Sequence, residues 1–395
     1  MEHNMTPKQL KEYRIKLFRD AASFKKPERV PHFANVVTWK IFDAGYTLDQ
    51  AFNDFSVMEK CVTHFLDTYT VDAIIDVGIR NQFNITNAFS KAQAHYYYDE
   101  NCVGVHDHSY CTADDLDEYL ENRDKFIWEK ALPAKYSDWN DRPLSVWQST
   151  FDEYLKYLKY IFRISSVTGK QYGIPSNAPN NPMSGKIEFG IEHLIEAALG
   201  IKQLSIAMRR NPDKIKRFVD TWDEREIKPA IAKIRSGKDG PNLKYCFDSS
   251  IVMLAHNILN PKQFEEYYWP RLEPLLAAYA EKKKNIRIYT EGSIGRYAEY
   301  FKGIPKGTLT FHVENDDPFE LRELLPNVAI MGGLSTRMLS EGTPEECVGY
   351  ARRLIDELGR DGGFILSQGK MLSYRSDATR ENFRAVCEFA NSYYL

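Results

Sequence analysis

A carboxylate and an imidazole stand near the ends of two short apolar segments, and both groups can bind a metal ion or move a proton. Glu291 closes the segment 286–291, and His312 lies near the end of the segment 308–314. Residues 296–301 between them have the pattern of a short helix. Strand, helix and strand in this order make the two strands parallel neighbours, with their C-terminal ends at one edge of the sheet. The pattern therefore predicts a metal or acid–base site at that edge.

The bulk composition excludes several classes of function. The chain has 395 residues, of which 43% are hydrophobic, and a formal net charge of −3, which argues against a nucleic-acid partner or an anionic membrane surface. No apolar run approaches the ~20 residues that span a bilayer, and the charged N-terminal segment lacks the apolar centre of a signal peptide. Six cysteines without a CxxC pair fit reduced thiols. We therefore expect a soluble, cytoplasmic α/β protein.

Short apolar runs alternate with longer amphipathic stretches along the whole chain, which is the pattern of a parallel α/β fold. The predicted strands are 31–37, 72–78, 171–176, 243–248, 286–291, 308–314, 328–332 and 363–367. Eight strands separated by helices predict a (β/α)₈ TIM barrel, with residues 1–395 forming a single domain. Residues 82–140 exceed what a barrel needs after strand two, and we predict an insertion that forms a lid over the barrel mouth.

Inside this predicted insertion, His106, Asp107 and His108 precede Cys111. Two histidines at this spacing on a strand would lie on one face and suggest a metal site. A polar run follows directly, however, so a structural hairpin is the favoured interpretation.

Several motifs in the second half occur together in one known family. They are Phe264-Glu265-Glu266, Glu291-Gly292, Met331-Gly332-Gly333-Leu334, Gly342-Thr343-Pro344-Glu345-Glu346 and Gly362-Gly363-Phe364. With this order of motifs the chain resembles the uroporphyrinogen decarboxylase superfamily, whose members are (β/α)₈ barrels. The resemblance is firm over residues 240–395 and looser over residues 30–78.

The superfamily contains porphyrinogen decarboxylases and methyltransferases that work with a corrinoid protein. The decarboxylases carry an arginine-rich loop after strand one, whereas this sequence has no arginine in residues 36–40. They also place an aspartate at the end of strand two, where this sequence has Gly78-Ile79-Arg80-Asn81. These departures favour the methyltransferase branch.

The resemblance also implies a metal. Thiol-methylating members bind zinc through His-x-Cys after strand five and a cysteine after strand eight, but the matching positions here are Tyr289-Thr290-Glu291 and Lys370. Members that demethylate aryl methyl ethers are similar in using a carboxylate and a histidine. We therefore expect zinc at Glu291 and His312, with Asp248 as the third ligand and Glu314 in reserve. A buried Glu–His pair without metal is the alternative.

The predicted activity is the transfer of a methyl group from an O-methyl donor, an aryl methyl ether, to the cob(I)alamin of a corrinoid protein. Zinc would act as a Lewis acid on the ether oxygen. Trp39, Arg80, Asn81 and Tyr289 are the predicted substrate-binding residues. Alternatives are other methyl donors (a methylamine, a methyl thioether or methanol), a decarboxylase, and a non-catalytic corrinoid- or porphyrin-binding protein. A homodimer is compatible with the sequence.

Overall fold

A curled sheet of parallel strands forms the centre of the molecule. The computed structural model describes residues 5–80, 82–90, 96–136, 138–179 and 187–395. The strands are β1 (His32–Ala34), β2 (Ala73–Ile74), β3 (Tyr96–Tyr98), β4 (Val103–Val105), β5 (Ser249–Met253), β6 (Ile286–Thr290), β7 (Leu309–Val313), β8 (Ala329–Leu334) and β9 (Phe364–Gln368). The main sheet has the order β2-β1-β9-β8-β7-β6-β5, and its neighbouring strands are all parallel.

One predicted strand is replaced by a short connecting segment. Residues 171–176 begin at the end of the long helix Leu144–Gln171, so the strand prediction there was wrong. Ser176 makes a single parallel bridge to Tyr245, and the Asn177 side-chain amide donates to the Ile74 carbonyl oxygen at 3.0 Å. The segment thus contacts both edges of the sheet. The described residues contain seven strands in this sheet, and the eighth strand of a full barrel is not confirmed.

The prediction of a strand at residues 243–248 was wrong, because the strand in this region, β5, begins at Ser249. These residues precede β5, and the exposed fraction of Leu243 is 69%. The Asp248 carboxylate accepts the backbone N–H groups of Asn242 and Asn285, at 2.6 and 2.9 Å. An aspartate that binds backbone N–H groups in this way favours a turn over a strand. The other six predicted strands are confirmed, most of them in shorter form.

Helices connect the strands and cover the outer face of the sheet. The α-helices are Pro7–Ala22, Trp39–Asp43, Leu48–Asn53, Phe55–Thr68, Phe83–Phe89, Leu116–Glu121, Arg123–Phe126, Leu132–Lys135, Leu144–Gln171, Gly190–His193, Gly200–Arg210, Pro212–Trp222, Lys228–Ser236, Pro261–Gln263, Trp269–Glu281, Ala298–Phe301, Pro318–Leu324, Thr336–Glu341, Pro344–Leu354 and Arg380–Ser392. Capping boxes at Thr343 and Asn260 begin two of them, because each side chain accepts the N–H of the third helical residue. Within the described residues, no helix combines the length and the apolar character needed to cross a membrane.

The first helix packs against the concave face of the sheet. The Phe18 ring contacts the ring of Phe33 in β1 and the ring of Phe247 just before β5, with centroid distances of 6.1 and 6.0 Å. One aromatic side chain therefore joins strands from opposite sides of the curled sheet. Burial of a ring of this size stabilises the fold by about 2–3 kcal/mol.

The segment predicted as an insertion has its own small elements. β3 and β4 pair antiparallel, and short helices follow between Leu116 and Lys135. His106 and His108 are exposed, while the Asp107 carboxylate accepts the backbone N–H groups of Ile201 and Lys202. Asp107 thus binds the first turn of a neighbouring helix, which fits the structural interpretation of this motif. That residues 82–140 form an inserted lid stays a prediction.

Candidate active site at the carboxyl ends of the strands

The C-terminal ends of β6 and β7 bring two carboxylates together. Tyr289 pairs with His312 in the parallel register, so Glu291 and Glu314 lie beyond the strand ends at equivalent positions. Neighbouring strands lie about 4.8 Å apart, which keeps the two glutamates adjacent. The Gly292 N–H donates to Glu314 Oε2 at 2.6 Å and links the two strand ends directly.

The loop after β6 is fixed by a glycine that no other residue could replace without strain. Gly292 has a φ of +80°, and a Cβ at this position would lie 2.3 Å from Asn257 Oδ1. Asn257 donates its side-chain N–H to the Glu291 carbonyl oxygen at 2.5 Å. The loop after β5 therefore holds the backbone of Glu291 in place.

His312 lies below these carboxylates, with both ring nitrogens engaged. Its exposed fraction is 0%. Nδ1 is 3.0 Å from Arg287 Nη1, and Nε2 is 2.9 Å from the Gln368 carbonyl oxygen. A guanidinium only donates and a carbonyl only accepts, so Nδ1 is the acceptor and Nε2 carries the proton. Burial and the Arg287 charge hold the pKa of His312 well below its usual range.

Asp248 is not brought together with Glu291 and His312. It precedes β5 and so lies at the N-terminal edge of the sheet, whereas Glu291 follows β6 at the C-terminal edge. A five-residue strand separates the two edges by about 15 Å. Asp248 also forms an ion pair with Arg19, with a 2.5 Å distance between Oδ2 and Nη1. The prediction of Asp248 as a third metal ligand at the mouth was therefore wrong.

The predicted zinc site does not fit this arrangement. A catalytic zinc ion needs three protein ligands and an open position. Here the His312 nitrogens are occupied and Asp248 is at the other edge, which leaves Glu291 and its neighbour Glu314. Among the described residues, no group of three His, Cys, Asp or Glu side chains is arranged to hold a metal ion.

Tyr289 lies at the same level as His312, two residues before Glu291. Its ring contacts the His312 ring at 4.9 Å, and its hydroxyl points to the Gly369 carbonyl oxygen at 3.4 Å, which is a weak hydrogen bond. Burial, together with the negative charges of Glu314 and Glu291, raises the pKa of Tyr289 far above its usual value. The hydroxyl is therefore protonated at neutral pH and can donate a hydrogen bond.

Comparison with known proteins matches this half of the chain to a family. The model of the uroporphyrinogen decarboxylase (URO-D) family covers residues 193–393, just over half of the chain, including β5 to β9. The chain belongs to the uroporphyrinogen decarboxylase family. A methyltransferase from Methanosarcina mazei has a similar fold, with a TM-score of 0.57 and 14% sequence identity over 98% of this chain and 99% of that chain. No curated protein sequence matches the chain.

For a URO-D family member, the residue after strand two bears on the choice between a decarboxylase and a methyltransferase. The sequence analysis placed the end of this strand incorrectly. β2 ends at Ile74, so the carboxylate just after the strand is that of Asp76, and Gly78 lies further along the chain. Asp76 and Lys40 are both buried and form a 3.1 Å ion pair. Burial alone would raise the pKa of Asp76, but the Lys40 charge and backbone donors outweigh it and leave that pKa lowered. One of the two arguments against a decarboxylase is thereby removed.

The predicted substrate-binding residues have different locations. Trp39 is buried, donates its indole N–H to the Ala378 carbonyl oxygen at 3.0 Å and packs against Phe383, so it belongs to the core and not to the mouth. Arg80 is exposed, and its Nη1 lies 2.9 Å from Met371 Sδ in the loop after β9, which places it at the C-terminal edge of the sheet. Asn81 lies outside the described residues.

Proposed function

We propose that this URO-D family member is a methyltransferase that removes a methyl group from an aryl methyl ether and passes it to the corrinoid of a partner protein. The observation that supports the proposal most is the fold shared with the Methanosarcina mazei methyltransferase over nearly the whole length of both chains. The absence of arginines in residues 36–40 adds to it, because a tetrapyrrole with several carboxylates needs several cations around it.

In the proposed reaction the bond between the methyl carbon and the ether oxygen breaks, and the oxygen keeps the electron pair. The corrinoid of the partner protein supplies the nucleophile that accepts the methyl group. The residues of this chain bind and orient the donor at the C-terminal edge. The Tyr289 hydroxyl donates a hydrogen bond to the oxygen as its negative charge develops.

The side chains at the site do not support the predicted zinc ion on the ether oxygen. The proposed reaction therefore has no step through zinc. Metal analysis of the purified protein tests this directly. One zinc per chain, lost together with activity on Glu291→Gln, would restore the sequence prediction.

The proposed activity is tested with cob(I)alamin and a panel of methoxyarenes, with methylamines, methyl thioethers and methanol as competing donors. We expect methylcobalamin and the matching phenol in equal amounts. Formation of methylcobalamin from another donor class alone would contradict the aryl ether assignment.

A decarboxylase of a small acid is the second candidate, and the buried Asp76–Lys40 pair after strand two favours it. The same incubations without a corrinoid distinguish the two candidates. Release of CO₂ without methyl transfer would replace the first proposal with this one.

The long helix Leu144–Gln171 supports a homodimer as a further part of the proposal. Tyr157, Tyr160, Ile164 and Thr168 face the core. Large apolar side chains occupy the opposite face, and their exposed fractions are 71% for Leu144, 58% for Phe151, 38% for Leu155 and 70% for Phe162. Spacings of seven, four and seven residues keep them in one stripe at about 100° per residue.

This exposed apolar stripe is complementary to a second copy of itself in antiparallel orientation. Its positions are symmetric about residue 153, so Leu144 of one copy would face Phe162 of the other, and Phe151 would face Leu155.

We expect the protein to sediment as a dimer at micromolar concentration and Phe151→Glu to shift it to monomer, raising the dissociation constant by at least ~30-fold. Leu243→Glu is the matched control, because Leu243 is an exposed leucine outside the stripe. A wild-type monomer, or an equal effect of both substitutions, would contradict the proposed dimer.

A further inference from the structure

A buried cation lies on the concave face of the sheet, and the side chains that contact it in the described part of the chain are neutral. The exposed fraction of Arg287, in the middle of β6, is 4%. Its Nε donates to Ser250 Oγ at 3.0 Å, its Nη1 donates to His312 Nδ1 at 3.0 Å, and its guanidinium carbon lies 5.4 Å from the centre of the Phe33 ring. A guanidinium has five N–H donors, so these contacts leave several of them for another acceptor.

Other buried arginines of this protein have carboxylate partners. Arg29 pairs with Asp72 at 2.6 Å, and Arg19 pairs with Asp248 at 2.5 Å. For Arg287, the described residues provide no carboxylate in an ion pair. Burying a cation without a counter-ion costs several kcal/mol, so a position like this one calls for an anion from outside the chain.

The surroundings of Arg287 are less tightly buried on the side of β5 and include a second positive charge. Ser250 and Val252, on the same face of β5, are only partly buried. Arg80 contacts Met371 in the loop after β9, at the C-terminal edge of the sheet, and its charge lowers the pKa of Arg287. Burial is the larger cause and brings that pKa to about 10, so Arg287 remains charged at neutral pH. The negative charges of the mouth, Glu291 and Glu314, follow the strand ends beyond Tyr289.

We propose that Arg287, with Arg80 above it, binds the carboxylate of a small organic acid and thereby sets the substrate class of this site. A carboxylate matches the planar fork of a guanidinium and accepts two parallel hydrogen bonds from it. Tyr289 would then face the part of the ligand nearer the mouth. That the bound acid is also the methyl donor rests on the proposed function, whereas the carboxylate site itself does not.

The test uses calorimetric binding of 4-methoxybenzoate and of its neutral analogue 4-methoxybenzamide to the full chain. We expect the acid to bind at least ~30-fold more tightly, as for charged hydrogen bonds. Arg287→Gln should remove this preference, and Arg80→Gln should reduce it. Equal binding of acid and amide by the wild type would overturn the proposal.

A second pair of variants keeps Arg287 in place. Ser250→Asp would place a carboxylate next to Arg287 Nε and should abolish acid binding. The Asn of Ser250→Asn has the size of that Asp but is neutral, so this variant should keep most of the acid binding. Retained acid binding in Ser250→Asp would count against the site even if Arg287→Gln fails to fold. Acid binding that depends on Arg287 without any methyl transfer would leave this site standing and refute only the proposed function.

Discussion

Replacing Asp72 by Asn is expected to lower the free energy of unfolding by about 3–5 kcal/mol, because it leaves buried cations without their charge partner. Asp72 Oδ1 and Oδ2 accept two bonds from Arg29, at 2.6 and 2.7 Å, and Oδ2 also accepts the His32 N–H at 2.8 Å. The exposed fractions are 0% for Arg29 and 2% for Asp72. This network joins the starts of β1 and β2. Urea denaturation of the two proteins measures the difference.

The matched control for this stability prediction is Asp20→Asn. Asp20 pairs with the exposed Lys16 at 2.6 Å within the first helix. Exposed pairs of this kind contribute about 0–1 kcal/mol, so the control should change the unfolding free energy little. Similar losses in both variants would show that the buried network has no special role.

The stability that Asp72 contributes also depends on pH. Burial alone would raise the pKa of Asp72, but the charges and hydrogen bonds of Arg29, with Arg14, lower it to about 2. The pKa in the unfolded chain is about 3.9. Because the folded value is the lower one, this contribution is fully present above pH ~4 and is lost as the pH falls towards ~2. The difference between the wild type and Asp72→Asn should therefore shrink over that interval.

The second half of the fold could be predicted from the sequence because local signals agree there. β6 to β9 are short apolar runs, and capped helices such as Pro344–Leu354 lie between strands. The first half of the fold gave weaker signals. β2 has only two residues, and the residues predicted as a third strand begin within a helix. Contacts with distant parts of the chain hold such short segments, and a local pattern does not report them.

The site could be predicted only in part. The βα pattern indicated the correct edge for Glu291, but it did not give the depth of each side chain. His312 precedes Glu314 by two residues, so it lies deeper than Glu314 on the concave face of the sheet, beside Arg287. A single arginine in the strand Ile286–Thr290, whose other four residues are uncharged, was the available signal for that cation. Asp76 was missed because the predicted strand two was too long.

Replacing Tyr289 by Phe is expected to reduce the rate constant of methyl transfer by about 100-fold, while the KM for the donor stays nearly unchanged. The hydroxyl of the buried Tyr289 is protonated at neutral pH, and it has only a 3.4 Å contact with the carbonyl oxygen of Gly369, the residue that follows β9. It is therefore available to the oxygen that gains charge as the methyl group leaves. Loss of a donor that acts mainly in the transition state lowers the rate constant and not the binding of the donor.

Single-turnover kinetics with a methoxyarene separate these two effects. Tyr393→Phe is the matched control: its hydroxyl donates to Asp356 at 2.9 Å in the C-terminal part of the chain, and its removal should leave methyl transfer unchanged. An increase in KM with an unchanged rate constant would make Tyr289 a binding residue only. Full activity of Tyr289→Phe would mean that the leaving oxygen is stabilised elsewhere, and the adjacent carboxylates Glu291 and Glu314 would then need a bound cation to provide that stabilisation.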